Sequence, residues 1–112
     1  MRNVKLICTL ATLGLLSSIT AGAEDFTVEQ KDKNFVYKAA KAETLRIKVG
    51  DVIQCKNMDP YFHNVFSLSD AKMFDLGSYP QGQSQSVTFD KSGKVEVECA
   101  IHPQMRMTVE VK

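Results

Sequence analysis

The sequence predicts an all-β domain, a sandwich of two sheets assembled from about eight short strands. Three observations predict it. Short runs alternate apolar and polar residues, Gly, Pro, Asn and Asp cluster between those runs, and beyond the N-terminus no stretch keeps helical apolar periodicity for longer than a turn or two. The 112 residues allow one domain.

The N-terminus reads as a leader rather than as part of that domain. Arg2 and Lys5 form a basic start, residues 6–19 are apolar and uncharged, and Ala21-Gly22-Ala23 is an A-x-A cleavage site. The apolar run is too short to span a bilayer as a helix. Residues 1–23 are therefore predicted to be a secretory signal peptide, with a single mature domain over residues 24–112 and no membrane span after processing. Cys8 leaves with the leader.

The elements of the mature chain follow in order. Residues 26–30 open with alternation, and Phe35-Val36-Tyr37 follows. Residues 44–49 set Leu45, Ile47 and Val49 on one face and Thr44, Arg46 and Lys48 on the other, the period of a half-buried strand. Gly50-Asp51 turns the chain into a strand at 52–57, residues 57–60 make a loop, and the next strand is 64–68. Residues 69–85 are the least regular, with one helical turn expected at 69–73 and punctuation at Gly77, Pro80 and Gly82. A strand at 86–90 leads into the turn Asp90-Lys91-Ser92-Gly93. Residues 94–99 then alternate strictly, with Val95, Val97 and Cys99 inward. Residues 107–112 repeat the pattern with Met107, Val109 and Val111 inward.

Charge excludes some partners. Without Arg2 and Lys5 the mature chain keeps 12 basic against 13 acidic side chains, a net charge of −1, and nothing points to nucleic acid or an anionic membrane. Two cysteines remain, Cys55 and Cys99. In an oxidising compartment two cysteines suggest a disulfide, and that is one reading of a redox-silent domain. The neighbours of Cys99 suggest another. His102 lies three residues beyond it and Met105 six beyond it, across a loop stiffened by Pro103.

His63, at the mouth of the 64–68 strand, is the other histidine of the chain. Two imidazoles, a thiolate and a thioether are the ligand set of a blue-copper centre, with a trigonal N₂S plane and a weak axial Met. His63, Cys99, His102 and Met105 are thus the candidate ligands of one copper ion per chain. Zinc could also use one Cys and two His, but structural zinc more often takes several cysteines, and a Met donor favours copper. Asn64, directly after His63, is placed to hydrogen-bond to the loop after Cys99.

Taken together, Gly50-Asp51, Asn57-Met58-Asp59-Pro60, His63-Asn64-Val65, residues 86–93 and Cys99-x₂-His102-Pro103-x-Met105 resemble the cupredoxins, and most of all the plastocyanin and amicyanin-like branch. The resemblance covers most of residues 35–112. It implies a Greek-key sandwich and type 1 copper bound by His63, Cys99, His102 and a methionine. In both branches the axial Met stands four residues before the first of two alternate valines in the last strand. Here those are Val109 and Val111, which selects Met105, leaving Met107 as core or patch lining. Departures are also visible. Glu98 stands where plastocyanin has a tyrosine, Cys55 replaces a large core residue and is expected as a buried free thiol, and Tyr61 and Phe62 add bulk that would shield the metal.

The function implied is a periplasmic one-electron carrier, not an enzyme, because no further histidines remain for a second copper site. Electrons would pass through the ring edge of His102, within an apolar patch of Pro103 and of Tyr61, Phe62 or Met73. The partners expected are transient ones, a c-type cytochrome, a dehydrogenase or a reductase, met by a monomer. No Cys-x-x-Cys-His haem motif competes with copper. The alternative is a periplasmic copper carrier or delivery protein using Met58, Met73, Met105 and Met107.

Overall fold

The computed structural model describes residues 22–112, so the predicted leader lies outside the described residues except for its last two positions. Among the described residues the alternation becomes ten strands. They are β1 (Asp25–Lys31), β2 (Asn34–Tyr37), β3 (Ala40–Lys41), β4 (Thr44–Ile47), β5 (Val52–Asn57), β6 (His63–Ser69), β7 (Lys72–Tyr79), β8 (Ser84–Thr88), β9 (Gly93–Glu98) and β10 (Arg106–Val111). Among the described residues no helix is long and apolar enough to cross a membrane.

The strands form two five-stranded sheets, in the orders β3-β2-β1-β5-β8 and β4-β10-β9-β6-β7. The pairs β1–β5 and β4–β10 are parallel, and the remaining pairs are antiparallel. The chain crosses between the sheets rather than completing one before starting the other, the Greek-key wiring of a sandwich. Inward residues from both sheets make one core: Val28, Ile53 and Cys55 from one, and Leu45, Val65, Val95, Val97 and Val109 from the other. Burying each such side chain stabilises the fold by about 1.5–3 kcal/mol.

Strand β5 carries that core toward the functional end, because its inward residues run Ile53, Cys55, Asn57. Strand β9 does the same from the other sheet with Val95 and Val97, ending just before buried Cys99.

Eight strands were expected, and the structure adds β3 and β7. No helical turn forms at residues 69–73. Asp70-Ala71 is instead the tight turn of the β6–β7 hairpin, and Leu68 pairs with Met73 across it. The alternation of β7 is hidden in the sequence by Gly77, which has φ of +75°, and by a bulge opposite Asn64–Phe66. Val49 is also not on the inner face and is 48% exposed. The sheet ends at Ile47, because the Asp51 carboxylate accepts the Lys48 N–H at 2.7 Å and closes a turn there.

Candidate metal centre

His63 opens β6, with Tyr79 as its register partner. The six-residue spacing from Asn57 to His63 would leave a loose loop, but buried Asn57 ties it down. Its Nδ2 donates to the carbonyls of Tyr61 and Tyr79, both at 2.9 Å, and its Oδ1 accepts the Asp59 N–H at 2.8 Å. His63 therefore enters the sandwich fully buried, at 0% exposure.

The second segment is the loop between β9 and β10. Cys99 N–H donates to the Met105 carbonyl at 3.3 Å, and Met105 N–H donates to the His102 carbonyl at 2.9 Å. These two bonds close residues 99–105 into a tight loop. The expected link from Asn64 is present, since its Oδ1 accepts the Ala100 N–H at 2.9 Å and joins the two segments.

The donor atoms converge. Cys99 Sγ lies 3.7 Å from His63 Nδ1 and 3.8 Å from His102 Nδ1. Those three donor atoms all sit within 4.8 Å of one another. Metal–nitrogen and metal–sulfur bonds of about 2.0 and 2.3 Å, at a trigonal angle of about 120°, would set nitrogen and sulfur about 3.7 Å apart. The pocket therefore fits a single ion of this kind. Met105 is buried beside it, as Cys99 is, and His102 is only partly covered.

Burial lowers the pKa of His102, and the neighbouring His63 and Lys33 lower it further against a smaller opposing pull from Asp59. Tyr61 packs against both rings, with centroids 5.5 Å from His63 and 5.3 Å from His102, and shields them as expected. Phe62 instead faces solvent and is 54% exposed. Pro103, Ile101 and Met58 are also exposed in the ligand-bearing segments. Met73 does not belong to this surface. It pairs with Leu68, five residues along β6 from His63, and so lies toward the far end of the sandwich.

Cys55 and Cys99 are both free thiols, which removes the disulfide reading. Cys55 lies in β5 of one sheet while Cys99 follows β9 of the other, and burial pushes the Cys55 thiol up to about 12. One residue of the site was not singled out from the sequence. Asp59, 3% exposed, places Oδ2 2.7 Å from His63 Nε2. The available signal was a carboxylate four residues before a candidate ligand histidine, which is ordinary in a loop.

A two-sheet β-sandwich with a Cys, two His and a buried Met at one end defines the class of small single-copper proteins. The chain belongs to the copper binding proteins of the plastocyanin/azurin family, whose family model matches residues 23–112. It is thus a type 1 copper electron-transfer protein rather than an enzyme, and works with redox partners. A curated relative is the methylamine utilization protein MauL of Methylorubrum extorquens, 26% identical over 101 residues and aligned over 89% of each chain. Solved amicyanin structures share the fold. A reduced copper(I) amicyanin variant is 25% identical with a TM-score of 0.67, covering 86% of this chain and 88% of that one. Another copper(I) variant is 24% identical, with the same TM-score and coverage.

Proposed function

We propose that His63, Cys99, His102 and Met105 hold the copper, and that residues 1–23 direct the chain to the periplasm, where the mature domain carries single electrons. The observation that carries the ligand assignment is the pair of imidazole nitrogens 3.7 and 3.8 Å from one buried thiol. Copper held there supplies a one-electron couple whose two states both accept two imidazoles and a thiolate.

The chain's own residues do the rest. His63 and Cys99 exclude water by burial, while hydrogen bonds donated by Asn57 and Met105 and the one Asn64 accepts from Ala100 hold their segments in place before any ion arrives. His102 is the one proposed ligand that is partly exposed, and Tyr61, Phe62, Ile101 and Pro103 lie in the segments around it. A donor or acceptor docking there, whether a c-type cytochrome, a dehydrogenase or a reductase, comes nearest the metal through that ring. Small apolar contacts of this kind suit brief encounters.

Met105 is favoured over Met107 by register. Arg106 pairs with Glu98, so Met105 faces Cys99, whereas Met107 faces Val97. The delivery reading, with Met58, Met73, Met105 and Met107 as a copper(I) track, is weakened by the distance of Met73 from the site. The family match beginning at residue 23 supports the leader assignment.

The test is visible absorption of the purified mature protein with one equivalent of copper(II). An intense thiolate-to-copper band that bleaches with reductant and returns on oxidation, and is absent from Cys99→Ser, is the expected result. Tight copper(I) binding without that band would favour delivery.

A further inference from the structure

His63 is engaged at both ring nitrogens. Nδ1 faces the Cys99 sulfur, and Nε2 meets the Asp59 carboxylate at 2.7 Å. That carboxylate is held from behind by a different element. Its Oδ1 accepts the Asp32 N–H at 2.7 Å, and its Oδ2 accepts the Lys33 N–H at 3.1 Å.

Asp32 and Lys33 are the two-residue turn of the β1–β2 hairpin, with φ of +53° and +59°. Two consecutive positive φ values make the primed turn that suits a hairpin, usually built with Asn and Gly. Side-chain-bearing residues reach this region only at a steric cost. The turn also aims two successive N–H groups at one point, an anion-binding nest, and the Asp59 carboxylate fills it. An ionised carboxylate only accepts hydrogen bonds, so the Nε2 of His63 carries a hydrogen toward Asp59 and Nδ1 is the ring nitrogen turned to Cys99.

We infer that Asp59 is a positioning residue that sets the reduction potential: clamped by the Asp32–Lys33 turn, its carboxylate fixes the His63 tautomer and puts negative charge behind that imidazole, favouring the oxidised ion. This rests on His63 being a ligand. A carboxylate behind a ligating histidine raises the basicity of the ring. A more basic donor and a nearby negative charge both stabilise the more highly charged ion more strongly. The hairpin turn of the opposite sheet thereby becomes part of the tuning apparatus.

The experiment compares Asp59→Asn with the parent. Asn keeps an oxygen for His63 and Lys33 while removing the charge. The expected result is an intact visible band with relative affinity for copper(II) over copper(I) reduced about tenfold, which raises a one-electron potential by about 59 mV. The double variant Asp32→Asn, Lys33→Gly keeps both backbone donors, and its potential is expected to match the parent. In the metal-free parent, ¹⁵N chemical shifts of the His63 ring should report hydrogen on Nε2. An unmoved potential in Asp59→Asn with the band intact overturns the inference while leaving the ligand assignment standing. Hydrogen on Nδ1 in the metal-free parent overturns it without any variant. A shift in the double variant as large as in Asp59→Asn also overturns it, because the turn's side chains would then carry the effect. Loss of the band in the parent would instead refute the ligand assignment itself.

Discussion

Replacing Met105 and Met107 by Leu, one at a time, separates the axial donor from its neighbour in the same strand. In the β9–β10 ladder Arg106 pairs with Glu98 and Met107 with Val97, so the next pair toward the loop is Met105 with Cys99. The Cys99 N–H to Met105 carbonyl bond at 3.3 Å continues that register. Directly opposed side chains have Cβ atoms about 4.5–5.5 Å apart, whereas the diagonal from Met107 to Cys99 is about 7–8 Å. Both methionines are buried, so both substitutions perturb packing. A volume-conserving Met→Leu change costs less than about 1.5 kcal/mol. At about 4–8 °C per kcal/mol for a domain of this size, the melting temperature falls by no more than about 12 °C. Both variants should therefore fold, bind copper and keep the thiolate band. Their potentials should differ. Removing a lone-pair donor weakens the hold on the more highly charged ion, and each tenfold loss of that preference lifts a one-electron potential by about 59 mV. Protein-film or solution voltammetry should show the rise in Met105→Leu and the parent value in Met107→Leu. A shift confined to Met107→Leu, or equal shifts in both, refutes the register reasoning.

Two further outcomes follow from the same geometry. Asn64→Ala removes the acceptor of the Ala100 N–H and should cost about 1 kcal/mol, read as roughly fivefold faster amide exchange at Ala100. Cys55 gives a pH signature in the metal-free protein. Its folded thiol keeps its proton up to about 12, while the unfolded chain releases it near 9.0. The stability it contributes is whole below pH 9.0 and is lost as pH rises toward 12. Urea titrations across that range should show a falling midpoint. The fall should be shallower in Cys55→Ala but still present, because Tyr79 is pushed up by burial as well. A slope unchanged by Cys55→Ala would contradict the assignment.

The parts of this molecule that were legible in the sequence are those whose cause is local. Val95, Val97 and Cys99 alternate because β9 has one buried face, and Met107, Val109 and Val111 repeat the pattern in β10. Cys99, His102 and Met105 fall within one short loop, so their spacing alone nearly fixes their convergence. His63 is separated from Cys99 by 36 residues, yet its position at a strand mouth beside Asn64 sufficed.

What was not legible depends on other parts of the chain. β7 is an edge strand whose pattern is broken by Gly77 and a bulge, so its alternation carries little signal. Val49 continues the period of β4 in sequence, but the Asp51 carboxylate ends the strand before it. Asp59 is silent for a deeper reason. Its part in the site exists only because a hairpin turn 27 residues earlier brings backbone donors to its carboxylate, and backbone donors carry no residue signature. The exposed surface near His102 shows the same limit. Ile101 and Met58 are ordinary apolar residues until the fold leaves them uncovered beside the ligands.

The most direct measurement is a crystal structure of the copper-loaded protein with data collected at the copper absorption edge. One anomalous peak should lie among His63 Nδ1, Cys99 Sγ and His102 Nδ1, with the Met105 thioether as the remote fourth donor. A peak elsewhere, or an ion bound without the Cys99 sulfur, would contradict the assignment.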